Sequence, residues 1–377
     1  MVSQRNLSYK LKVLYLNLKL QNVHLYRLLL ASYNYLFYGL HYKLDLQTKK
    51  IFRIAVIIAI LISLVFFVSS INLGKLFLVL SNADPLFVGL IIISYFLAIL
   101  MFILAWHVIL SIVTTVKFKH NFIATLLQIF GNIVIPSASL GGEILRVSYL
   151  KNRTNTNLEK LIASIAINRL QYGITMIAFI MIGLFFILLN GIFSLYIFLA
   201  FIIIIISTFI IYFLTFKSKV IKSFSAKIIN FSHKKFNRPK NYLEAIDKVN
   251  DFIDKFDHWI KNITNNRLWF LGIFLMILQW LFSSLTIYLA FLAIHYKVNF
   301  TIIVFTYPIF VLLTVTPLGI PGNIGFLDLV MIGLYTKLGI DIVYATAATL
   351  IARSFMLLED LLISVPFAIK HRKHYIN

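Results

Sequence analysis

Residues 51–70 and 193–216 each run for about twenty residues with at most one charged side chain, the length a helix needs to cross a bilayer core. No water reaches the backbone there, so only helices and closed barrels span a membrane. Barrel strands alternate apolar and polar residues, whereas these runs are continuously apolar. The chain therefore reads as an all-α polytopic membrane protein. Composition agrees, with 60% hydrophobic and only 13% charged residues.

The net charge of +22 would suggest nucleic acid in a soluble protein. Here the basic residues sit between the apolar runs, so the charge reads as positive-inside topology and attraction to anionic lipid, with no nucleic-acid partner. The chain has no cysteine, which removes disulfides, thiolate nucleophiles and Cys metal sites. No His/Asp/Glu spacing resembles a metal site, no Gly-rich loop ends in Lys-Ser/Thr, and no nucleophile–base set is local. Neither a cofactor nor an enzymatic activity is expected. Residues 1–50 are basic and mixed, with an interfacial helix expected at 25–40, and 51–70 reads as an uncleaved anchor.

Charge between the runs sets the topology. Full spans are expected at about 51–70, 86–112, 162–189, 194–216, 268–294 and 342–369. Residues 122–150 are short, broken in the middle and flanked by Lys117, Lys119 and His120 before and Lys151, Arg153 and Lys160 after. Such a segment most simply enters from the cytoplasm and returns. The final span ends at Lys370, Arg372 and Lys373, so residues 301–340 must enter and leave from the outer side. The expected fold is six full transmembrane helices plus two oppositely inserted re-entrant helical hairpins, filling residues 51–370 of a plasma-membrane protein with both termini cytoplasmic. Residues 217–267 form a basic cytoplasmic loop. Within it Ile246, Val249, Ile253, Phe256 and Ile260 recur at helical spacing, with Asp247, Asp251, Asp254 and Asp257 to one side, an amphipathic surface helix.

Both hairpins carry the same kind of break. The first reads Pro136 to Glu143 through Gly141 and Gly142, followed by Arg146; the second reads Pro321, Gly322, Asn323, Ile324, Gly325 and on to Asp328. Proline and acid lie seven residues apart in both. An arginine inside an apolar stretch follows each acid, Arg169 after 26 residues and Arg353 after 25. Broken helices at matching positions in two halves point to an inverted repeat with a substrate site between the halves. Irregular backbone at membrane depth must be buried or line a wet cavity, and the N-terminal helix end that follows suits a phosphate or a carboxylate. Glu143 and Asp328 thus either contact a ligand or cap their own helices.

Arg353 is the most informative single residue. It lies near the middle of the last span, where an arginine costs roughly 2.5–3.5 kcal/mol on insertion scales. Either it binds substrate or it pairs with Asp328, Glu359 or Asp360. Glu359 and Asp360 in turn either balance Arg353 or carry a coupling proton. Arg169 sits close enough to its helix start to snorkel, Arg146 fits a positive-inside charge, and His107 reads as a hydrogen-bonded core residue.

With these motifs the chain resembles the lysylphosphatidylglycerol synthase transmembrane-region family over about residues 51–370. The family's proline followed by a glycine–acid pair and an arginine matches Pro136, Gly142, Glu143 and Arg146. Its Asp-Arg-Leu-Leu-Gly helix stands here as Asn168, Arg169, Leu170, Gln171, Tyr172 and Gly173. Its Pro-Gly-Gly-x-Gly-x-x-Glu motif stands as Pro321, Gly322, Asn323, Ile324, Gly325, Phe326, Leu327 and Asp328, and its late arginine as Arg353. Departures are Asn168 for aspartate, Asn323 for glycine and Asp328 for glutamate. The resemblance implies translocation of phospholipid between leaflets, often by a homodimer. The family's aminoacyl-transfer domain would follow the membrane part, and only eight residues follow 369.

The expected function is therefore flippase-like transport of a phospholipid or glycolipid, with Glu143, Arg146, Arg169, Asp328 and Arg353 as substrate contacts. The alternatives are a membrane scaffold for a separately encoded lipid-modifying or glycosyl-transferring enzyme, docking on 217–267, and a small-solute or ion-coupled carrier.

Overall fold

A computed structural model describes residues 72–135, 140–154, 156–189, 242–314 and 324–374, with a few more between 202 and 231. The N-terminal segment 1–50, the expected span 51–70, nearly all of the span 194–216, most of the basic loop before 242, and Pro136, Pro321 and Gly322 lie outside the described residues. Among the described residues the fold is entirely helical. The helices are α1 (Leu73–Ser81), α2 (Pro85–Val113), α3 (Phe118–Val134), α4 (Leu140–Thr154), α5 (Leu158–Leu189), α6 (Tyr242–Thr264), α7 (Leu268–Ala293), α8 (Phe300–Leu313), α9 (Phe326–Lys337) and α10 (Ile342–His371).

Short polar side chains set where several helices begin. The Asn72, Asp84, Asn299 and Asp341 side chains accept from the backbone N–H of Lys75, Leu86, Thr301 and Val343, satisfying donors that the first turn leaves open. Pro85, at the first position of α2, loses no helical hydrogen bond there. Three helices, α2, α5 and α7, are long and apolar enough to cross a membrane. At 30 residues α10 is as long, but it carries Arg353, Glu359 and Asp360 along its length. The shorter α8 is 14 residues, about 21 Å at 1.5 Å per residue, less than the roughly 30 Å of a bilayer core.

α2 and α7 form the central pair. The Asp84 N–H at the start of α2 donates to the Ala293 carbonyl at the end of α7 at 2.8 Å. Further along, Ser94 Oγ donates to the Phe282 carbonyl at 2.9 Å. The two helices therefore run antiparallel. Around them the packing is exchanged between the halves. The start of α3 meets the end of α10 through Phe122 and Phe367, with ring centroids 6.0 Å apart. The start of α8 meets the end of α5, where a Cβ on Gly183 would come within 2.6 Å of the Phe305 backbone. That glycine is what lets two membrane helices approach so closely.

The apolar core divides in the same way. One cluster joins α2, α3, α4, the start of α5, the end of α6 and Ala368 of α10. Another joins α7, α8, α9, α10 and the end of α5 with Leu76 of α1 and Ile91 of α2. Outward faces carry Phe77, Leu86, Phe270 and Leu362, all well exposed, as lipid-facing helices do. α6 is the expected amphipathic helix. Val249, Ile253 and Ile260 are buried, Ile260 and Ile263 join the first cluster, and Asp251, Asp254 and Asp257 pair with Lys255, Lys222 and Lys261.

Candidate functional site: two arginine–carboxylate pairs

The twin spacings close into twin ion pairs. Glu143, in the first turn of α4, receives Arg169 of α5, whose Nε donates to Oε1 at 2.8 Å. Asp328, in the first turn of α9, receives Arg353 of α10, whose Nε donates to Oδ1 at 3.0 Å. In both cases an acid in the first turn of one helix holds an arginine on the long helix that follows.

The first pair is embedded in a larger network. Gln128 Nε2 of α3 donates to Glu143 Oε1 at 3.0 Å, and Arg146 Nη2 lies 3.0 Å from Glu143 Oε2. Arg146 Nη1 also donates to Gln128 Oε1 at 2.7 Å. Its guanidinium covers the Trp106 ring at 3.7 Å, and Trp106 Nε1 donates to Ser164 Oγ at 3.2 Å. Arg146 is fully buried. It is not the surface charge that its position suggested; it clamps Glu143 between two helices, and its stacking on Trp106 is a cation–π contact. Arg169 does not snorkel alone to the cytoplasm either, since the carboxylate holds it, yet its side chain stays 38% exposed.

The second pair is simpler. Asp328 Oδ2 accepts from the Gly325 N–H at 2.8 Å, so this acid caps its own helix and holds its arginine at once. Gly325 has φ of +84°, a left-handed conformation that favours glycine, and it marks a true break. Gly141 and Gly142 differ from the expectation, because both lie inside α4 and not ahead of it. For Gly142 the role is proximity. A Cβ there would clash with the Gln128 carbonyl oxygen, and one on Gly131 would sit 2.6 Å from the Gly142 Cα. Only glycine at both positions lets α3 and α4 close on each other.

Of the two acids suggested as further partners for Arg353, Asp360 accepts from Tyr95 Oη of α2 at 3.0 and 3.1 Å. It lies within the electrostatic field of Arg353, whose ion pair is with Asp328. Glu359 is buried, and its Oε2 has no hydrogen-bond partner. His107 rests edge-on against Phe118 at 5.3 Å, and its Nδ1 lacks the hydrogen bond expected of a core histidine. At the start of α3, burial and then the nearby Arg153, Lys119 and Lys117 hold His120 below its ordinary value, so the lysines alone carry that basic flank.

Sequence reasoning missed the side chains between the pairs. Tyr172, one turn beyond Arg169, stacks on Trp280 at 4.7 Å, and Trp280 meets Tyr307 of α8 at 5.8 Å. Tyr307 stacks on Phe310 at 5.9 Å, and the Arg353 guanidinium lies over the Phe310 ring at 5.2 Å. An aromatic string thus runs from Arg353 through Phe310, Tyr307 and Trp280 to Tyr172, one turn from Arg169. Gln128 carried a signal that went unused, namely a lone amide inside a short apolar run. Tyrosines are too common in this chain to stand out.

Comparison with known proteins agrees with the motifs. The profile of the lysylphosphatidylglycerol synthase TM region matches residues 51–364. A UPF0104 membrane protein of Methanothermobacter thermautotrophicus is 23% identical over 325 residues, covering 84% of this chain and 92% of that protein. A UPF0104 membrane protein of Methanocaldococcus jannaschii is 28% identical over 290 residues, covering 75% of this chain and 84% of its own length. No solved structure matches the chain. A family profile spanning most of the chain, together with the motifs that supply both ion pairs, shows that this integral membrane protein belongs to the lysylphosphatidylglycerol synthase transmembrane-region family.

Proposed function

We propose that the protein translocates a phospholipid or glycolipid between leaflets, with the anionic headgroup passing between its two halves. The observation that carries this reading is the pair of ion pairs, Glu143–Arg169 and Asp328–Arg353, at matching places in two halves of an apolar fold. A guanidinium presents five N–H donors in a fork that matches a phosphate as well as a carboxylate, so a phosphate can approach an arginine that a carboxylate already positions. The antiparallel α2–α7 pair and the exchanged contacts of α3 with α10 and of α8 with α5 support an inverted repeat. In this reading α3–α4 and α8–α9 are re-entrant hairpins inserted from opposite faces, within a topology of six spans and cytoplasmic termini. The Tyr172–Trp280–Tyr307 string then lies on the path between the arginines.

The test is leaflet exchange in proteoliposomes, read by quenching of fluorescent phosphatidylglycerol and of a fluorescent glycolipid. Wild type accelerates exchange of at least one of them, and Arg353→Met, folded by thermal unfolding, does not. A membrane scaffold would leave exchange flat with both proteins. A small-solute carrier would show a solute-dependent thermal shift with no lipid requirement. Either result overturns the proposal.

A further inference from the structure

Two acids in the middle of α10 have no part in holding the headgroup. Glu359 and Asp360 lie six and seven residues past Arg353, about 9–10 Å along the axis at 1.5 Å per residue. They are also eleven or more residues from the end of the helix at His371, so both sit at membrane depth. Asp360 receives the Tyr95 hydroxyl on both oxygens. Glu359 is 8% exposed, and its Oε2 has no hydrogen-bond partner.

The ionisable groups around the pair are few. From α2 comes Tyr95; the other titratable side chain of that helix, His107, rests on Phe118. From α8 comes Tyr307, and along α10 itself Arg353. α7 carries no charged residue. α9 offers Asp328, which is paired with Arg353, along with Tyr335 against Phe291 and Lys337 at its far end. Lys75 of α1 pairs with Asp341, and Lys119 and His120 lie at the start of α3, which meets α10 past the acids at Phe367, with His120 against Tyr149. Among the described residues nearby cationic charge is thus limited to one arginine, and Asp328 pairs with it. A buried carboxylate without a counter-charge costs several kcal/mol when ionised and far less when protonated. Intramembrane acids in this situation commonly act in proton relays. A metal ion is a poor fit, since no group of three His, Cys, Asp or Glu side chains comes together among the described residues.

We propose that Glu359 and Asp360, with Tyr95 as their hydrogen-bond donor, form a proton-binding site that couples lipid movement to a proton gradient. This deepens the flippase reading and rests on it. A phosphate that docks on Arg353 brings negative charge into the field that Asp360 shares with that arginine, and a proton on the acid pair offsets it. Linkage makes the effect mutual, so the proton favours the phosphate as much as the phosphate favours the proton. Phosphate and proton therefore cross together. The carboxyl O–H bond forms on the side where the phosphate enters and breaks on the side where it leaves, with water taking the proton.

Two measurements test the site independently of each other. Infrared difference spectra of the purified protein, titrated in pH without any added lipid, report protonated carboxyl groups directly. Wild type shows a carboxylic-acid band near neutral pH, and Glu359→Gln and Asp360→Asn each remove part of it. Absence of that band overturns the proton site even if lipid exchange is robust. In phosphatidylcholine vesicles with a trace of fluorescent phosphatidylglycerol, an imposed gradient of about one pH unit biases the leaflet distribution up to about tenfold for one proton per lipid. Glu359→Gln and Asp360→Asn, each the shape of a protonated acid, lose that bias. A wild-type distribution indifferent to the gradient, or the same bias produced by a sodium gradient instead, overturns the coupling. Exchange absent in wild type while the infrared band is present overturns the flippase reading and with it the coupling, but leaves the proton site standing.

Discussion

Neutralising Asp328 separates the stability of the second ion pair from its use. Asp328→Asn keeps an amide oxygen where the Gly325 N–H is now accepted, so the cap survives and its loss of about 1 kcal/mol is avoided. The charge is lost, and Arg353 is left without its carboxylate. Stranding a buried charge costs about 3–5 kcal/mol. Here Arg353 and Asp328 keep 12% and 18% side-chain exposure, so solvent screening places the cost near the lower end, about 3 kcal/mol. Removing the acid from the first turn of α9 adds roughly 0.5 kcal/mol through the helix dipole. Unfolding in detergent, followed by scanning calorimetry or tryptophan fluorescence, should shift down by roughly 5–10 °C. The double variant Asp328→Asn/Arg353→Met removes both charges and should return to within about 1 kcal/mol of wild type, since a buried pair replaced by neutral groups is often no loss. Its lipid exchange should stay abolished. A double variant as unstable as the single one would refute the pairing. A double variant that still exchanges lipid would refute the use of Arg353.

Glu143→Gln should be more damaging than Asp328→Asn, because one carboxylate holds both the fully buried Arg146 and Arg169; a loss of about 4 kcal/mol or more is expected in the same unfolding assay. Gly183→Ala places a Cβ 2.6 Å from the Phe305 backbone, and overpacking of this kind costs about 1–3 kcal/mol, whereas Gly89→Ala, inside α2 where a Cβ meets nothing within 4 Å, should raise stability by about 0.5–1 kcal/mol. Because the chain has no cysteine, single cysteines report topology without background. Lys119→Cys and Lys151→Cys should react with an impermeant maleimide from the cytoplasmic side only, and Lys297→Cys and Lys337→Cys from the outer side only. Labelling of all four from one side would remove the opposed insertion of the hairpins.

Much of this arrangement was legible in the sequence, for reasons that can be named. Apolar runs gave α2, α5 and α7 nearly to the residue, because a long helix in lipid has no alternative way to satisfy its backbone. The ion pairs were foreshadowed by spacing, since a charge at membrane depth needs an opposite one and few were on offer. The stripe of Val249, Ile253 and Ile260 gave α6, because helical period is visible whenever one face is polar. Arg146 was misjudged for a physical reason. A basic residue near a basic flank looks like topology, and only the packing of Trp106 and Gln128 reveals a buried clamp. Gly142 looks like part of a break, because glycines that let backbones touch look the same in sequence as glycines that turn a chain. Tyr95, Tyr172 and Tyr307 gave no signal, because their role depends on which helices meet.

The two halves share a design but not its strength, and that difference has a measurable consequence. In α3–α4 Glu143 is tied to Arg146, Arg169 and Gln128, and the Gly131–Gly142 contact brings the two backbones together. In α8–α9 Asp328 is tied to Arg353 and to the Gly325 N–H, and Pro308 interrupts the α8 hydrogen-bond ladder, a known place for a helix to bend. Each additional charged hydrogen bond that must break on opening is worth about 1.5–3 kcal/mol, so local opening of α3–α4 should be rarer than that of α8–α9. Hydrogen exchange follows such openings segment by segment. α9 amides should therefore exchange about tenfold or more faster than α4 amides at equal depth, a factor that each 1.4 kcal/mol supplies. Glu143→Gln should narrow that ratio by releasing α4, while Asp328→Asn should widen it. Equal protection of α4 and α9 in the wild type, or a ratio that Glu143→Gln leaves in place, would mean that these ties do not govern which helix pair opens more often.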